Sequence, residues 1–318
     1  MQTTTLGRTG LIVSRAGLGC GGHAQLGQSY GHSIAQSVAL VHAALDTGAN
    51  FIDTAASYKT EEIVGRAING RRDKVVLSTK LGIVQPDTSP LGQNFLHADE
   101  FCRLVEGNLE RLGTDYIDIL HLHGVMADQY EYCVNEIVPA LFRLRDQGKI
   151  RFIGLTERFI HDTNHTMLGH ALEDDFWDVV MTGFNMINPS ARRSVLIKTR
   201  EKNIGTLIMF AVRRSLSDVE ATSEIIAELR KNGQINLSDY DDPNPLAFLV
   251  DPRIASSVIE AAYRFCRHEP GTDVVLSGTG SLEHLCENFV ALQMPPLPEA
   301  VQARLNSLFG RVDSVSGN

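Results

Sequence analysis

Ala98-Asp-Glu-Phe-Cys-Arg-Leu-Val-Glu-Gly-Asn-Leu-Glu-Arg-Leu-Gly113, followed at once by Thr-Asp-Tyr116-Ile-Asp-Ile-Leu-His-Leu-His123, holds one whole structural repeat. Residues 98 to 112 read as a helix, Gly113 closes it, and Tyr116 to Leu122 reads as a short buried strand. A polar side chain, His123, stands just past the strand. Two other apolar runs finish the same way, Ala49-Asn-Phe-Ile-Asp53-Thr and Val75-Val-Leu-Ser-Thr-Lys80. Charged residues are seldom fully buried without a partner, so each of these strand ends needs a reason.

The same unit recurs in both directions along the chain. Leu6-Gly-Arg-Thr-Gly10-Leu-Ile-Val-Ser14 sets a Gly-Arg-Thr-Gly turn between two strand-like pieces, which predicts a β-hairpin. Ala16 to Gly19 then forms a first strand that enters the glycine-rich loop Cys20 to Gly22. Val38, Val41, Ala44 and Leu45 carry helical spacing over 34 to 47, and Gly48 precedes a strand from Asn50 to Asp53. A helix from Glu61 to Asn69 stops at Gly70, before a strand from Lys74 to Thr79. Past His123 come a helix from Asn135 to Asp146 and a strand from Ile150 to Leu155. A helix near 163 to 173 and a strand from Trp177 to Phe184 follow, with Trp177 read as packing. A helix from Ala191 to Lys202 leads to a strand from Thr206 to Phe210. A helix-rich stretch, 217 to 268, precedes a strand from Asp273 to Leu276 and a helix from Leu282 to Leu292.

Eight strands after the hairpin, each followed by helix, predict a parallel (β/α)8 TIM barrel in one domain spanning residues 1 to 318. An open doubly wound sheet is the rival, and no Gly-x-Gly-x-x-Gly follows the first strand to support it. Only 231 to 252 breaks the rhythm. Its Asn-Gly, Asp-Asp-Pro and Asn-Pro pairs predict a long irregular loop, one that could form part of a substrate wall.

Composition removes several classes of function. The 318 residues carry 29 basic and 38 acidic side chains, a net charge of -9, with no basic stripe to follow a phosphate backbone. The start, Met1-Gln-Thr-Thr-Thr, lacks a signal-peptide pattern. The longest apolar stretch, Leu207 to Val212, is far shorter than the roughly 20 residues that cross a bilayer. The five cysteines (Cys20, Cys102, Cys133, Cys266 and Cys286) form no Cys-x-x-Cys, and a reduced cytoplasmic protein is the simplest reading. Neither nucleic acid nor membrane is expected as a partner, and no motif speaks to oligomeric state.

The polar strand ends, together with Tyr58, make a chemically coherent set. A phenol with a pKa near 10 exchanges protons poorly at neutral pH. A lysine beside it lowers that pKa, and a carboxylate fixes the lysine. A histidine can orient a carbonyl by donating a hydrogen bond. Reduction of a carbonyl needs these functions. His121 competes with His123, because residues two apart on a strand face the same side. His121-x-His123 would also suit a metal-dependent hydrolase, but no partnering cluster of His or carboxylates is evident in the sequence.

Leu6-Gly-Arg-Thr-Gly-Leu, Asp46-Thr-Gly-Ala-Asn-Phe-Ile-Asp-Thr-Ala55, Ser78-Thr-Lys80, Leu112-Gly-Thr-Asp-Tyr-Ile-Asp118 and Gly148-Lys-Ile-Arg-Phe-Ile-Gly154 together resemble the aldo-keto reductase superfamily. The motifs keep the family's order from residue 6 to Asn288. The resemblance implies an NAD(P)-dependent oxidoreductase that interconverts an aldehyde, ketone or sugar with an alcohol. It assigns Tyr58 as proton donor, Lys80 as modifier of its pKa, Asp53 as partner of Lys80 and His123 as the carbonyl-orienting group.

It also implies a cofactor surface made by Cys20, Gly21, Asp53, Thr156, Met181, Met209, Phe210, Arg213, Gly278, Thr279, Gly280, His284 and Asn288. Several of these depart from the family pattern. Gly154-Leu-Thr156-Glu157 stands for the usual Gly-Val-Ser-Asn, and Met181 for a glutamine. Met209-Phe210-Ala211-Val212-Arg213-Arg214 replaces Tyr-Ser-Pro-Leu, with the polarizable Met209 sulfur able to lie on an aromatic face. Gly278, Gly280 and His284 occupy positions where relatives hold lysine or arginine against a 2′-phosphate, so NADP(H) and NAD(H) are both open. The rebuilt cofactor positions also leave a non-catalytic, nucleotide-sensing barrel as the competing function.

Overall fold

A computed structural model describes residues 1–86, 88–235 and 245–318. Two short strands, β1 (Thr3–Thr5) and β2 (Ile12–Ser14), pair antiparallel around the one-turn helix Gly7–Thr9. Eight parallel strands follow: β3 (Ala16–Gly19), β4 (Phe51–Asp53), β5 (Val76–Leu81), β6 (Ile117–Val125), β7 (Ile150–Glu157), β8 (Val179–Gly183), β9 (Gly205–Met209) and β10 (Val274–Ser277). They pair in chain order, and β10 closes on β3 to complete a barrel. The fold is the TIM barrel with a leading hairpin that the helix–glycine–strand rhythm predicts.

Alternation along each strand sorts the side chains into two shells. Phe51, Val76, Ile119, Val179, Met181, Leu207 and Val274 meet inside the barrel, while Leu18, Ile52, Leu77, Leu120, Ile153, Val180, Ile208 and Val275 pack outward against the helices. Leu6, Leu11 and Val13 of the hairpin join the inner cluster and stop the lower end. The approach is close: a Cβ on Gly7 would lie 2.2 Å from the Gly205 nitrogen. Fully burying a leucine such as Leu6 contributes about 1.5–3 kcal/mol, so the hairpin is a working part of the core.

The inward parity then decides the upper rim. Asp53 lies two residues beyond Phe51, Lys80 four beyond Val76, and His121 and His123 two and four beyond Ile119, so all four enter the barrel. β5 and β6 run further than the apolar runs alone indicate, and Lys80 and His123 stand within their strands rather than past the ends. Barrel pairing carries the strands on, matching Lys80 with His121 and His121 with Gly154.

The outer layer contains Ile34–Asp46, Glu61–Ile68, Ala98–Leu112, Thr166–Ala171, Val219–Lys231, Val258–Arg267 and Leu282–Ala291. The fourth helical unit starts at Tyr130, five residues ahead of the expected Asn135. It runs through a π-turn at Cys133–Ile137 into Val138–Asp146, where Pro139 cannot donate a backbone hydrogen bond. A final helix, Glu299–Phe309, buries Val301, Leu305, Leu308 and Phe309 and has no counterpart in the repeat-based reading. Of the irregular segment 231 to 252, residues 236–244 lie outside the described residues. Among the described residues no helix is long and apolar enough to cross a membrane.

Candidate active site

Above the inner core the barrel opens into a cavity of about 1030 Å³. Tyr58, Lys80 and His123 line it, with Thr156, Met181, Met209 and Phe210 on its far side. Tyr58 reaches it from a single turn, Ala56–Tyr58, directly after β4. Lys59 then takes a left-handed φ of 59°, which ends the turn. Gly21 gives the phenol its space, since a Cβ there would sit 2.4 Å from the ring.

Lys80 and Asp53 form a buried ion pair, Nζ to Oδ2 at 2.5 Å, in which the lysine side chain is 1% exposed. Lys80 also donates to the Thr54 carbonyl at 2.8 Å, and Ser78 donates to the other Asp53 oxygen at 2.8 Å. The ammonium stands 4.9 Å from the centre of the Tyr58 ring. The Tyr58 hydroxyl and His123 Nε2 are 3.4 Å apart, with their rings edge to face.

The charge states follow from burial and neighbours. Burial acts to discharge Lys80, but Asp53 and then Tyr58 outweigh it and hold the ammonium above its ordinary pKa. Burial pushes the Tyr58 phenol up, with Lys80 working against the rise. That is a correction to the expectation of a net lowered phenol. In this cavity desolvation wins, and Tyr58 keeps its proton. Burial, then Lys80, then Arg158 bring His123 down to about 3, so its imidazole is neutral. The site therefore presents a protonated phenol and a neutral imidazole side by side over a buried cation.

His121 sits lower in the barrel, fully buried, and neither ring nitrogen has a hydrogen-bond partner among the described residues. Burial, with Lys80 and His123 nearby, keeps it neutral. It fills the space above Gly154, where a Cβ would lie 2.2 Å from its Nδ1. His123 rather than His121 borders the cavity.

The remaining predicted residues divide. Thr156, Met181, Met209 and Phe210 line the cavity together, with Thr156 beside Met181 in register. Phe210 holds a left-handed φ of 65°, a strained position for an aromatic residue. Asn185 Nδ2 donates to its carbonyl at 3.3 Å, and its ring meets Phe159 edge to face at 5.5 Å. The Arg213 guanidinium lies over that ring at 4.3 Å, and its Nε donates to Asn318 Oδ1 at 2.6 Å. Cys20 does not reach the cavity: its thiol is packed in the outer core, where burial pushes its pKa far up. Only the Cys20 backbone takes part, its N–H donating to the Asp53 carbonyl at 2.8 Å.

Gly278, Thr279 and Gly280 form the turn into the helix Leu282–Ala291, capped by Ser281. Both glycines allow close approach, with Cβ positions 2.9 Å from the Gly19 carbonyl and 2.7 Å from Gly27 Cα. His284 is exposed on the first turn of that helix. Asn288 donates to Ser277 Oγ at 3.1 Å, and Ser277 in turn meets the Tyr263 hydroxyl at 3.0 Å.

Two residues matter that the strand-end pattern did not single out for a role. Glu157 stands where relatives carry asparagine. It accepts from Thr182 Oγ1 and the Gly183 N–H, both at 2.8 Å, and contacts His165 Nδ1 at 2.9 Å. Arg158, directly after it, lines the cavity, as does Glu157 itself. The signal available in sequence was a Glu-Arg pair following a strand-end threonine.

A closed parallel barrel whose rim joins phenol, ammonium, carboxylate and imidazole over an apolar floor defines a class of barrel oxidoreductases that handle carbonyl and alcohol groups. The sequence model described as "Aldo/keto reductase family" matches residues 18–309, and the chain belongs to that family. It is 32% identical over 306 residues to aldo-keto reductase YhdN from Bacillus subtilis, covering 90% of this chain and 88% of that protein. L-galactose dehydrogenase from Arabidopsis thaliana is 35% identical over 164 residues, 49% of this chain and 48% of that protein. Among solved structures, the holo form of aldo-keto reductase AKR11C1 from Bacillus halodurans matches 98% of this chain and 97% of its own. Its TM-score is 0.72 at 21% identity, a likeness of fold.

Proposed function

We propose that this protein is an NAD(P)-dependent reductase that interconverts an aldehyde, ketone or sugar with the corresponding alcohol, with Tyr58 as proton donor. The observation that carries this reading is the convergence of the protonated Tyr58 hydroxyl and the neutral His123 Nε2, 3.4 Å apart, on one cavity. A carbonyl oxygen placed between them accepts a hydrogen bond from each. In the reducing direction Tyr58 passes its proton to that oxygen. The buried Lys80 ammonium stabilises the phenolate left behind, and Asp53 keeps Lys80 charged and in place. In the oxidising direction the same groups take the proton back.

The residues present fit a nicotinamide dinucleotide. Met181, Met209 and Phe210 offer an apolar floor, and Thr156 a hydroxyl beside it. Gly278, Thr279 and Gly280 lead into the Ser281-capped N-terminus of a helix, where the first-turn amides lack helical partners and suit an anionic group. Bound there, such a cofactor supplies the hydride that the carbonyl carbon receives. The Cys20 thiol, packed in the outer core, has no part in this reading, while Arg213 backs the floor by lying over the Phe210 ring.

The test compares wild type with Tyr58→Phe on a panel of aldehydes, ketones and sugars, using NADPH and NADH. Loss of the proton donor lowers kcat/KM by about 10²–10⁴-fold, while cofactor affinity by nicotinamide fluorescence stays the same. If the wild type binds cofactor yet turns over no panel member faster than Tyr58→Phe, the protein is a nucleotide-binding barrel without this chemistry.

A further inference from the structure

At the end of β7 three consecutive polar residues, Thr156, Glu157 and the following Arg158, have different partners. Thr156 stays inside the barrel, and its Oγ1 accepts from the Gly124 N–H at 2.7 Å. Glu157 also borders the cavity, but Thr182, Gly183 and His165 occupy both of its oxygens. Arg158 turns back over the cavity wall beside the reacting groups. Adjacent residues at a strand end face opposite ways, and Glu157 and Arg158 form no ion pair.

The Arg158 guanidinium consequently has little to hold. Its Nε donates to the Gly124 carbonyl at 3.3 Å, and no carboxylate of the described residues lies within ion-pair distance. Gly124 makes room for it: at φ 63° it carries no side chain, and a Cβ there would be 3.1 Å from Arg158 Nη2. Gly124 directly follows His123, and His123, Gly124 and Arg158 all line the same cavity. The nearby acids are already engaged. Asp53 pairs with Lys80, and Glu61 accepts from Arg111 and Thr79. Glu62 and Lys59 stand exposed at the edge of the cavity. A half-buried cation with unused forked donors favours an anion, and an arginine matches carboxylate and phosphate geometry in two parallel hydrogen bonds.

We propose that Arg158 fits this site to carbonyl substrates bearing an oxyanion, a carboxylate or phosphate, close to the reacting carbonyl. The guanidinium binds that group while Tyr58 and His123 take the carbonyl oxygen. The inference rests on the reductase reading above and narrows its substrate class.

Matched probes test it: glyoxylate against glycolaldehyde, succinic semialdehyde against butanal, and glyceraldehyde phosphate against glyceraldehyde. The wild type prefers at least one anionic member through a lower KM, and which pair shows it separates carboxylate from phosphate. In Arg158→Gln the ratio of kcat/KM for that anionic probe to its neutral partner falls about ten- to a hundredfold, carried mainly by KM. Arg158→Lys recovers part of the ratio, and thermal melts show both variants folded. An unchanged ratio in Arg158→Gln, with neutral aldehydes still reduced, overturns the anion site and leaves the reductase reading standing. A tenfold weaker cofactor affinity with the ratio unchanged also overturns it, because Arg158 then serves the cofactor. Failure to turn over any probe of either kind overturns both.

Discussion

Asp53→Asn removes one half of the buried ion pair with little change of shape, and the structure sets both the size and the sign of the effect. Lys80 and Asp53 are 1% and 4% exposed at their side chains, so water cannot replace the lost carboxylate. Breaking such a pair from one side costs about 3–5 kcal/mol. A second estimate gives a ceiling. Lysine ordinarily titrates at 10.5, so giving up its proton at neutral pH limits the loss to about 5 kcal/mol, at about 1.4 kcal/mol per pH unit. The two agree, and they predict a change of slope. In the wild type the folded pKa of Lys80 is raised. Its contribution is present below the ordinary lysine value and fades only as pH rises through the folded value. In Asp53→Asn the folded pKa drops below the ordinary value, so the variant regains stability as pH rises toward it. Urea unfolding across the neutral to alkaline range measures both quantities. Pairing the substitution with Lys80→Met relieves much of the loss, since the unpaired charge is gone. A loss under about 1 kcal/mol at neutral pH, or curves for wild type and Asp53→Asn that stay parallel with pH, would refute the buried-pair argument.

Two further predictions concern the barrel interior. Gly154→Ala drives a Cβ to 2.2 Å from Nδ1 of the fully buried His121; it costs about 1–3 kcal/mol in urea unfolding, and a wild-type midpoint would show that His121 can move aside. His123 is held down to about 3 against an ordinary 6.5, so between those values the unfolded chain binds a proton that the folded chain refuses. Stability is therefore lost as pH falls through that window, by up to about 1.4 kcal/mol per pH unit from this residue. His123→Gln flattens that part of the acid limb, and equal acid limbs for the two proteins would count against a neutral His123.

The sequence by itself determined the barrel and the inward-facing part of the site. Helix periodicity, closing glycines and short apolar strands are local signals. The two-residue alternation also sends Asp53, Lys80 and His123 to the same face as the inner-core residues Phe51, Val76 and Ile119, without reference to any distant contact. Local signals did not reveal the length of β5 and β6, the final helix Glu299–Phe309, or the early start of the helix at Tyr130, because barrel pairing and packing decide them. Cys20 shows the same limit. One loop can point its backbone at the site and its thiol into the core.

What only the tertiary structure decided is charge. Adjacent in sequence, Glu157 and Arg158 look like a neutral couple. Folding gives Glu157 to His165, Thr182 and Gly183 and leaves Arg158 over the cavity with one backbone carbonyl. Tyr58 follows the same rule, since its protonation depends on how much burial opposes Lys80. Burial and pairing are set by residues far apart in the chain, and they determine which polar groups remain free to act.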